Sequence, residues 1–578
     1  MTSRVLRHLL LAVLALAVLA PLASAHPERG TVFPDPATNQ IPKYRNSGPT
    51  HVVCKPDSLA RIKRIFASDA SGRRSRQRML RRCRFRHIQA AVNAASSGYR
   101  ILIMPGVYRE EPSRRVPFGT YKSGPCPNDW VETEGFENTA PPPAGPRSND
   151  PPVRPDRNFH LKCPNSHNLI AVIGDTRPEP DPKNPLPVKC LRLCNLQISG
   201  YGKRPEDVLI EGDRRKMDVL RVDRAHGIYL SNFAVEQAAF NDVDLVEVDG
   251  FRVTRLVARY AQNYGVLSFT SIHGLYDHIE AYGNGDSGVY PGSGAKGCDY
   301  INRNAYGLCD RGWTAANPRA GCGNHTTEIR NVNSHHNILG YSGTAGNSTY
   351  VHDSRFHHNN TGLATDSFAS GHPGMPQECF RWEKNEINSN NENYFTQERQ
   401  TYCNNTPFER RQREIVCPQF QVPAGTGVLI GGGNRNLLRD NHIYDNWKWG
   451  VVLGWVAAVN RGERDPDRQN DNSHGNQFLD NKMGMRPDGT ADPNGYDFAW
   501  DGQGMRNCWQ GNTSKSGPGH QYQGSDPAPP SCPGSEVSRP TDPALYSTVV
   551  PCFAWDPRNN PRPVGCDWFD VPPEPKPS

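Results

Sequence analysis

The sequence predicts an all-β fold: a solenoid of short parallel strands, with capping helices at its start and disulfide-tied loops inserted between coils. Three observations predict it. Apolar strand openings follow glycine at a fixed period between Asn263 and Asp366, as Gly265-Val-Leu, Gly288-Val-Tyr, Gly340-Tyr-Ser and Gly362-Leu-Ala, with 23 residues from Gly265 to Gly288 and 22 from Gly340 to Gly362. Asn337 and Asn359 repeat at the same 22-residue interval. A period near 22 with Gly and Asn at the corners is the pattern of stacked coils that bury their apolar faces only against each other. Composition agrees: 53 Gly, 51 Pro and only 36% hydrophobic residues suit a thin core carrying long polar loops.

At the N-terminus, Arg4 and Arg7 precede the apolar run Leu9 to Ala20, and Ala23-Ser24-Ala25 supplies small residues for cleavage. These are the parts of a secretory signal peptide spanning 1–25, with the mature chain starting near His26. No later run is long and apolar enough to span a bilayer, so membrane insertion is not expected. Sixteen cysteines suit an oxidising compartment and predict stapled loops. The Cys190-Leu-Arg-Leu-Cys194 spacing also fits a metal pair, although no second pair lies at a matching distance. The net charge of +7 is concentrated in Arg61 to Arg86. Without aromatic interleaving or a nucleic-acid motif, and behind a signal peptide, this segment predicts a solvated basic helix pair, with no nucleic-acid partner.

Leu59, Ile62 and Ile65-Phe66 line one face of a helix beginning after Pro56-Asp57. A second short amphipathic helix runs from Phe85 to Ala95 and is ended by Ser96-Ser97-Gly98. The buried strand Ile101-Leu102-Ile103-Met104 and the turn Pro105-Gly106-Val107-Tyr108 follow. This helix, strand and turn resemble the opening of pectin-lyase-like proteins, where the helix caps the first coil. The likeness runs from about Phe85 to about Gly484. It implies a right-handed single-stranded parallel β-helix over 85–484, with a basic extension at 26–84 and an irregular Cys/Pro/Gly-rich cap and tail at 485–578.

A ladder of coils is legible in His226-Gly227, Asp249-Gly250 and His273-Gly274, aligned with the three glycines at one corner. Insertions break it at 292–323, 371–378, 394–425 and 457–471. Three follow the strands opening at Gly288, Gly362 and Gly450, so they leave one side of the solenoid, where binding loops gather. Counting from each opening Gly with the first residue inward places Leu267, Tyr290, Ser342, Ala364 and Leu429 outward at the second position. Phe269, Gly292, Thr344, Asp366 and Gly431 are outward at the fourth. Asp366 then stands on a floor of small residues with Tyr290 nearby, walled by the insertions. Such a groove suits a sugar chain. In the blander alternative, Asp366 bonds loop backbone.

Asp286, at a corner in Gly-Asn-Gly-Asp286-Ser, is a candidate base, cation ligand or turn residue. His335-His336 and His357-His358, 22 apart, stack as a ladder that could hold a metal, relay protons or simply form a partly exposed corner. No third ligand of the ladder is obvious in the next coil, where Ile443-Tyr444-Asp445 takes the place and offers Asp445. Lys296 and Arg311, in the first Cys-rich insertion, could serve a lyase as base or as the cation that neutralises a sugar carboxylate beside Ca²⁺. No cofactor is otherwise indicated. The candidate catalytic residues are therefore Asp366, Asp286, Tyr290, His335 and His357.

The resemblance also has negative content. The paired-Asp and Arg-Ile-Lys pattern of polygalacturonases, the Asp-Pro-His-Glu pattern of alginate epimerases and the Trp-Ile-Asp-His-type segment of pectate lyases are all missing. The segments around Asp286 and Asp366 resemble secreted bacterial β-helix-repeat proteins. The expected function is a secreted, monomeric protein that binds and processes polysaccharide by lyase, hydrolase or epimerase chemistry. The alternative is a non-catalytic module binding glycan or cell envelope, in which Arg61 to Arg86 hold anionic wall polymers. A metal-handling role would need ligands beyond the His pairs.

Overall fold

The computed structural model describes residues 31–34, 40–116, 157–181, 185–296, 322–368, 372–403, 421–456, 473–524, 528–538 and 564–576, with single positions and a short run between them. The predicted signal peptide, Arg311 and most of the first insertion lie outside the described residues.

Each later coil contributes three strands, the first two of which are merged into one long strand in Ile228–Glu236, Asp249–Arg259 and Ile272–Tyr282. In one, Thr327–Arg330, Asn333–His335 and Leu339–Thr344 are joined by turns in which Asn331, His336 and Ala345 take φ of 52°, 55° and 49°. A single left-handed residue turns the chain sharply while keeping the flanking strands extended, at a cost of roughly 1–2 kcal/mol for a side chain with a Cβ. Stacking then joins like to like, always in parallel. The first two strands of each coil build a twenty-stranded sheet, and the third builds an eleven-stranded sheet, counted among the described residues. The result is a right-handed parallel β-helix.

Inward residues form columns. Ile329, Val351, Trp382, Leu438, Phe478 and Trp509 are successive pairing partners on one side. Val266, Val289, Tyr341, Leu363, Val428 and Val451 face them from the eleven-stranded sheet, and all twelve belong to one continuous core. Burial of each aliphatic side chain is worth roughly 1.5–3 kcal/mol, which outweighs the strain of the turns. The first-in, second-and-fourth-out count therefore holds for the sheet that carries Asp366.

The asparagines are the second columnar device. Asn284, Asn337, Asn359, Asn390, Asn446 and Asn494 sit buried at one corner, and each side-chain amide donates to the next Oδ1 at 2.9–3.1 Å. These asparagines are not the left-handed residues. The residue just before takes that conformation, as His336, His358, Ser389 and Asp445 do. The corner thus divides the labour: one residue bends the chain, and the next ties it to the coil above.

The ladder extends beyond the expected span at both ends. Thr50–Val53 pairs with Arg100–Ile103 upstream, and Tyr496–Trp500, Cys508–Gln510 and Tyr522–Gln523 continue the sheets past 484. One corner also differs. Phe251 pairs with Ile228 and with Gly274, so the left-handed series is Gly227, Gly250 and His273 rather than Gly274. Gly274 is small because a Cβ there would meet the Phe251 ring at 2.0 Å.

Three helices close the N-terminal end: α1 (Ser58–Ile65), α2 (Ala70–Leu80) and α3 (Ile88–Ala94). Ile88, Ala91 and Val92 of α3 lie on the core, and the Glu110 carboxylate accepts its first free N–H groups, those of Ile88 and Gln89, at 2.8 and 2.9 Å. Disulfides join Cys54–Cys83, Cys190–Cys194, Cys322–Cys379, Cys403–Cys417, Cys508–Cys532 and Cys552–Cys566, and no described cysteine is free. The Cys190–Cys194 pair is a staple.

Candidate functional site

Asp286, Tyr290 and Asp366 all lie on the outer side of the eleven-stranded sheet, but that side is not an open floor. Their exposures are 3%, 1% and 2%. The segment bearing Tyr394, Val416 and Val422 folds over the sheet and packs on Ala364, Leu429 and Trp449, while His372 meets the Phe269 ring at 5.5 Å. The outward stripe is itself apolar, so the insertion covers it for the same reason that the inner face is buried. The expected open groove is corrected to a covered acidic cluster.

Within it Tyr264 and Tyr290 stack with ring centroids 4.4 Å apart, and Asp286 and Asp366 lie close enough to influence each other's charge. Asp366 accepts from the Thr344 hydroxyl at 3.1 Å and from the Phe368 backbone N–H at 2.9 Å, so it does bond loop backbone. Asp286 is pushed up to about 7, first by burial and further by the Asp366 charge, against stabilising contacts from Ser287 and Tyr264. Among the described residues its Oδ1 has no hydrogen-bond partner. Sequence counting missed Tyr264 because it precedes its strand. The repeat offers a signal in hindsight: Asn263-Tyr264-Gly265 stands one coil before Asp286-Ser287-Gly288.

The histidine pairs do stack. The rings of His335 and His357 are 5.2 Å apart, those of His336 and His358 are 5.5 Å apart, and Tyr282 extends the column above His335 at 5.0 Å. Within each coil the two Nδ1 atoms face each other at 2.7 and 2.8 Å, within hydrogen-bond distance when one ring donates and the other accepts. Burial and the neighbouring imidazoles hold His357 down at about 3. Asp445 does not follow directly: a coil with Asn388 and Ser389 intervenes, and Ser389 donates to Asp445 at 2.6 Å. The sequence count skipped this coil because its Glu386-Ile-Asn segment lacks the glycine opening. Lys296 is buried in an ion pair with Glu378 at 3.0 Å, and Arg435 pairs with the same carboxylate. Among the described residues, no three of His, Cys, Asp and Glu converge as a metal site.

The open feature lies elsewhere, on the outer side of the twenty-stranded sheet, in a cleft of about 780 Å³. Ser199, Ser231, Thr254 and Asp277 occupy one register position in four successive coils and form its floor. At the inter-strand spacing this floor runs roughly 14 Å. Tyr44 and Tyr229 meet edge to face at 5.8 Å along one side, and Tyr44 is 49% exposed. The turn residues Asn232, Arg255 and His278 form the other side, and Phe66, Arg76 and Tyr201 close the end. One cation of the basic segment belongs to the cleft: Arg76 lies over the rings of Phe66 and Tyr201 at 4.7 and 4.4 Å. Arg252 pairs with Asp277 at 2.9 Å. Burial pushes the Asp277 carboxyl up, but hydrogen bonds from Asn331 and His278 and the charge of Arg330 bring it down to about 2.

No protein-family model and no curated protein matches the chain. Among solved structures, the chain is similar to the A-module of mannuronan C-5 epimerase AlgE6 of Azotobacter vinelandii, at 11% identity and a TM-score of 0.31, over 74% of this chain and 94% of that one. It is similar to pectate lyase Pel9A at 12% and 0.30, over 76% and 74%. It is also similar to the tailspike protein of E. coli bacteriophage HK620, determined with a pentasaccharide, at 11% and 0.35, over 73% and 62%. The chain's own strand pairing carries the fold assignment: the molecule is a right-handed parallel β-helix.

Proposed function

We propose that the protein binds an extended glycan along the cleft over the twenty-stranded sheet. The observation that carries this is the cleft's construction: a ladder of hydroxyl and carboxylate groups under an edge-to-face tyrosine pair. A sugar ring needs an aromatic surface for its C–H face and short polar side chains for its hydroxyls. A floor repeating at the strand spacing offers the same contacts to successive sugars. The predicted signal peptide and the paired cysteines support action outside the cytoplasm.

The test is binding of the purified chain to a polysaccharide panel by affinity electrophoresis and calorimetry. Tyr44→Ala and Tyr229→Ala should each weaken the bound glycan by about tenfold, with the melting temperature of Tyr44→Ala unchanged. A panel with no binder, or variants that bind like the parent, would overturn the reading.

A second reading, chemistry on the glycan at the covered acidic cluster, is favoured by one observation. Asp286 sits near neutrality beside a second carboxylate, as a proton-carrying group requires. Asp366→Asn and Asp286→Asn should then each stop product formation while leaving binding in the cleft intact. Turnover that persists in both variants refutes it.

A further inference from the structure

The glycan reading of the cleft leaves the charge of its lining unexplained, and any meaning given to that charge rests on the glycan reading. Four cations line the cleft, Arg76, Lys203, Arg252 and Arg255, against two carboxylates, Asp69 and Asp277. The carboxylates are already engaged. Asp69 caps α2 by accepting the Gly72 N–H at 2.8 Å. Asp277 takes Arg252 at 2.9 Å, Arg330 at 3.3 Å and the His278 ring at 2.8 Å. Among the described residues, no carboxylate lies within ion-pair distance of Arg76, Lys203 or Arg255.

The two arginines are held in place, and Lys203 is exposed. The Arg76 guanidinium lies over two aromatic faces and donates to the Tyr201 carbonyl at 3.4 Å. Arg255 donates to the Lys203 carbonyl at 3.2 Å, which brings the two cations together. Arg255 also occupies a left-handed corner with φ of 50°, the register position that Asn232 and His278 hold in the flanking coils, and all three line the cleft.

We infer that the cleft selects an acidic glycan, whose carboxylate or sulfate groups meet Arg76, Lys203 and Arg255 while its ring faces lie on the tyrosines. Arg offers a planar fork of donors to either oxyanion, and a weakly hydrated cation gives up its water at low cost.

The experiment compares the full-length chain on a polyuronate, the same polymer fully methyl-esterified, and a sulfated glycan, at low and high salt. The acidic polymer should bind about tenfold more tightly than its ester at low salt, and the gap should close as salt rises. Lys203→Gln and Arg255→Gln should each cost about threefold on the acidic polymer and nothing on the ester. Lys203 is exposed, so its variant tests the idea without a folding question. The stronger of the uronate and sulfate arms identifies the anion. Equal affinity for acid and ester overturns this inference while leaving the glycan reading intact. Failure of all three polymers, together with the neutral panel, overturns the glycan reading itself.

Discussion

Asp286 shows how a single carboxyl is perturbed by its surroundings. Its folded-state value of about 7 stands above the ordinary 3.8, so the folded protein holds this proton more tightly than the unfolded chain. Stability from it is fully present below about pH 4 and is lost as pH rises to about 7, on the order of 4 kcal/mol in all. Asp286→Asn keeps the shape and removes the ionisation. Denaturant unfolding at pH 5 and pH 8 should show a smaller pH-dependent fall in the variant, and the variant should be the more stable of the two at pH 8. A wild type with a steeper loss on the acidic side would contradict the assignment. Gly274 gives a second case at this scale. Its glycine was legible, yet the coil keeps its 23-residue register, which puts the left-handed position on His273, one residue earlier. Only the Phe251 ring explains why position 274 must be small.

At the scale of the element, the asparagine column carries more than its spacing announces. Asn359 sits in the middle, accepting from Asn337 at 3.1 Å and donating to Asn390 at 3.0 Å, while its second amide hydrogen reaches the Ser334 carbonyl at 3.2 Å. Asn359→Ala leaves buried donors and acceptors on both neighbours unpaired. The expected cost is about 3 kcal/mol, read by denaturant unfolding. Asn512, at the far end of a shorter column, loses only one such partner coil and should cost about 1 kcal/mol. Equal losses at the two sites would show that the column is not cooperative. The left-handed corners tell a related story. His336 and His358 bend the chain where Ser389 and Asp445 do so in later coils, so the stacked imidazoles share a position first required by the turn. Their Nδ1–Nδ1 contacts are what that position leaves the rings to do.

For the molecule as a whole, the solenoid stabilises itself coil against coil, and the disulfides lie at its margins. They close loops of very different length: Cys322–Cys379 spans 57 residues and Cys190–Cys194 spans 4. On the loop-entropy argument, replacing the first pair by serines should cost about 4 kcal/mol and the second about 2 kcal/mol. Far-UV circular dichroism should be unchanged in both, because the strand columns contain neither bridge. Loss of β signal in the Cys190→Ser, Cys194→Ser double variant would overturn that division between coil and margin.

The sequence by itself determined the repeat, its period, the inward and outward faces of the sheet carrying Asp366, the capping helix and the stapled loops. These follow from local rules: glycine openings, alternation along strands, and a 22-residue spacing that one coil passes to the next. It did not determine which outer face would be open. Covering depends on where the 394–425 insertion lands, and that insertion buries the apolar stripe over Asp286 and Asp366 by contacts far apart in sequence. The open cleft likewise gathers Tyr44, Arg76, Tyr201, Tyr229 and Arg255 from five separated stretches. No spacing links them, because α1 and α2 reach the coils only by packing, and packing is a property of the folded chain.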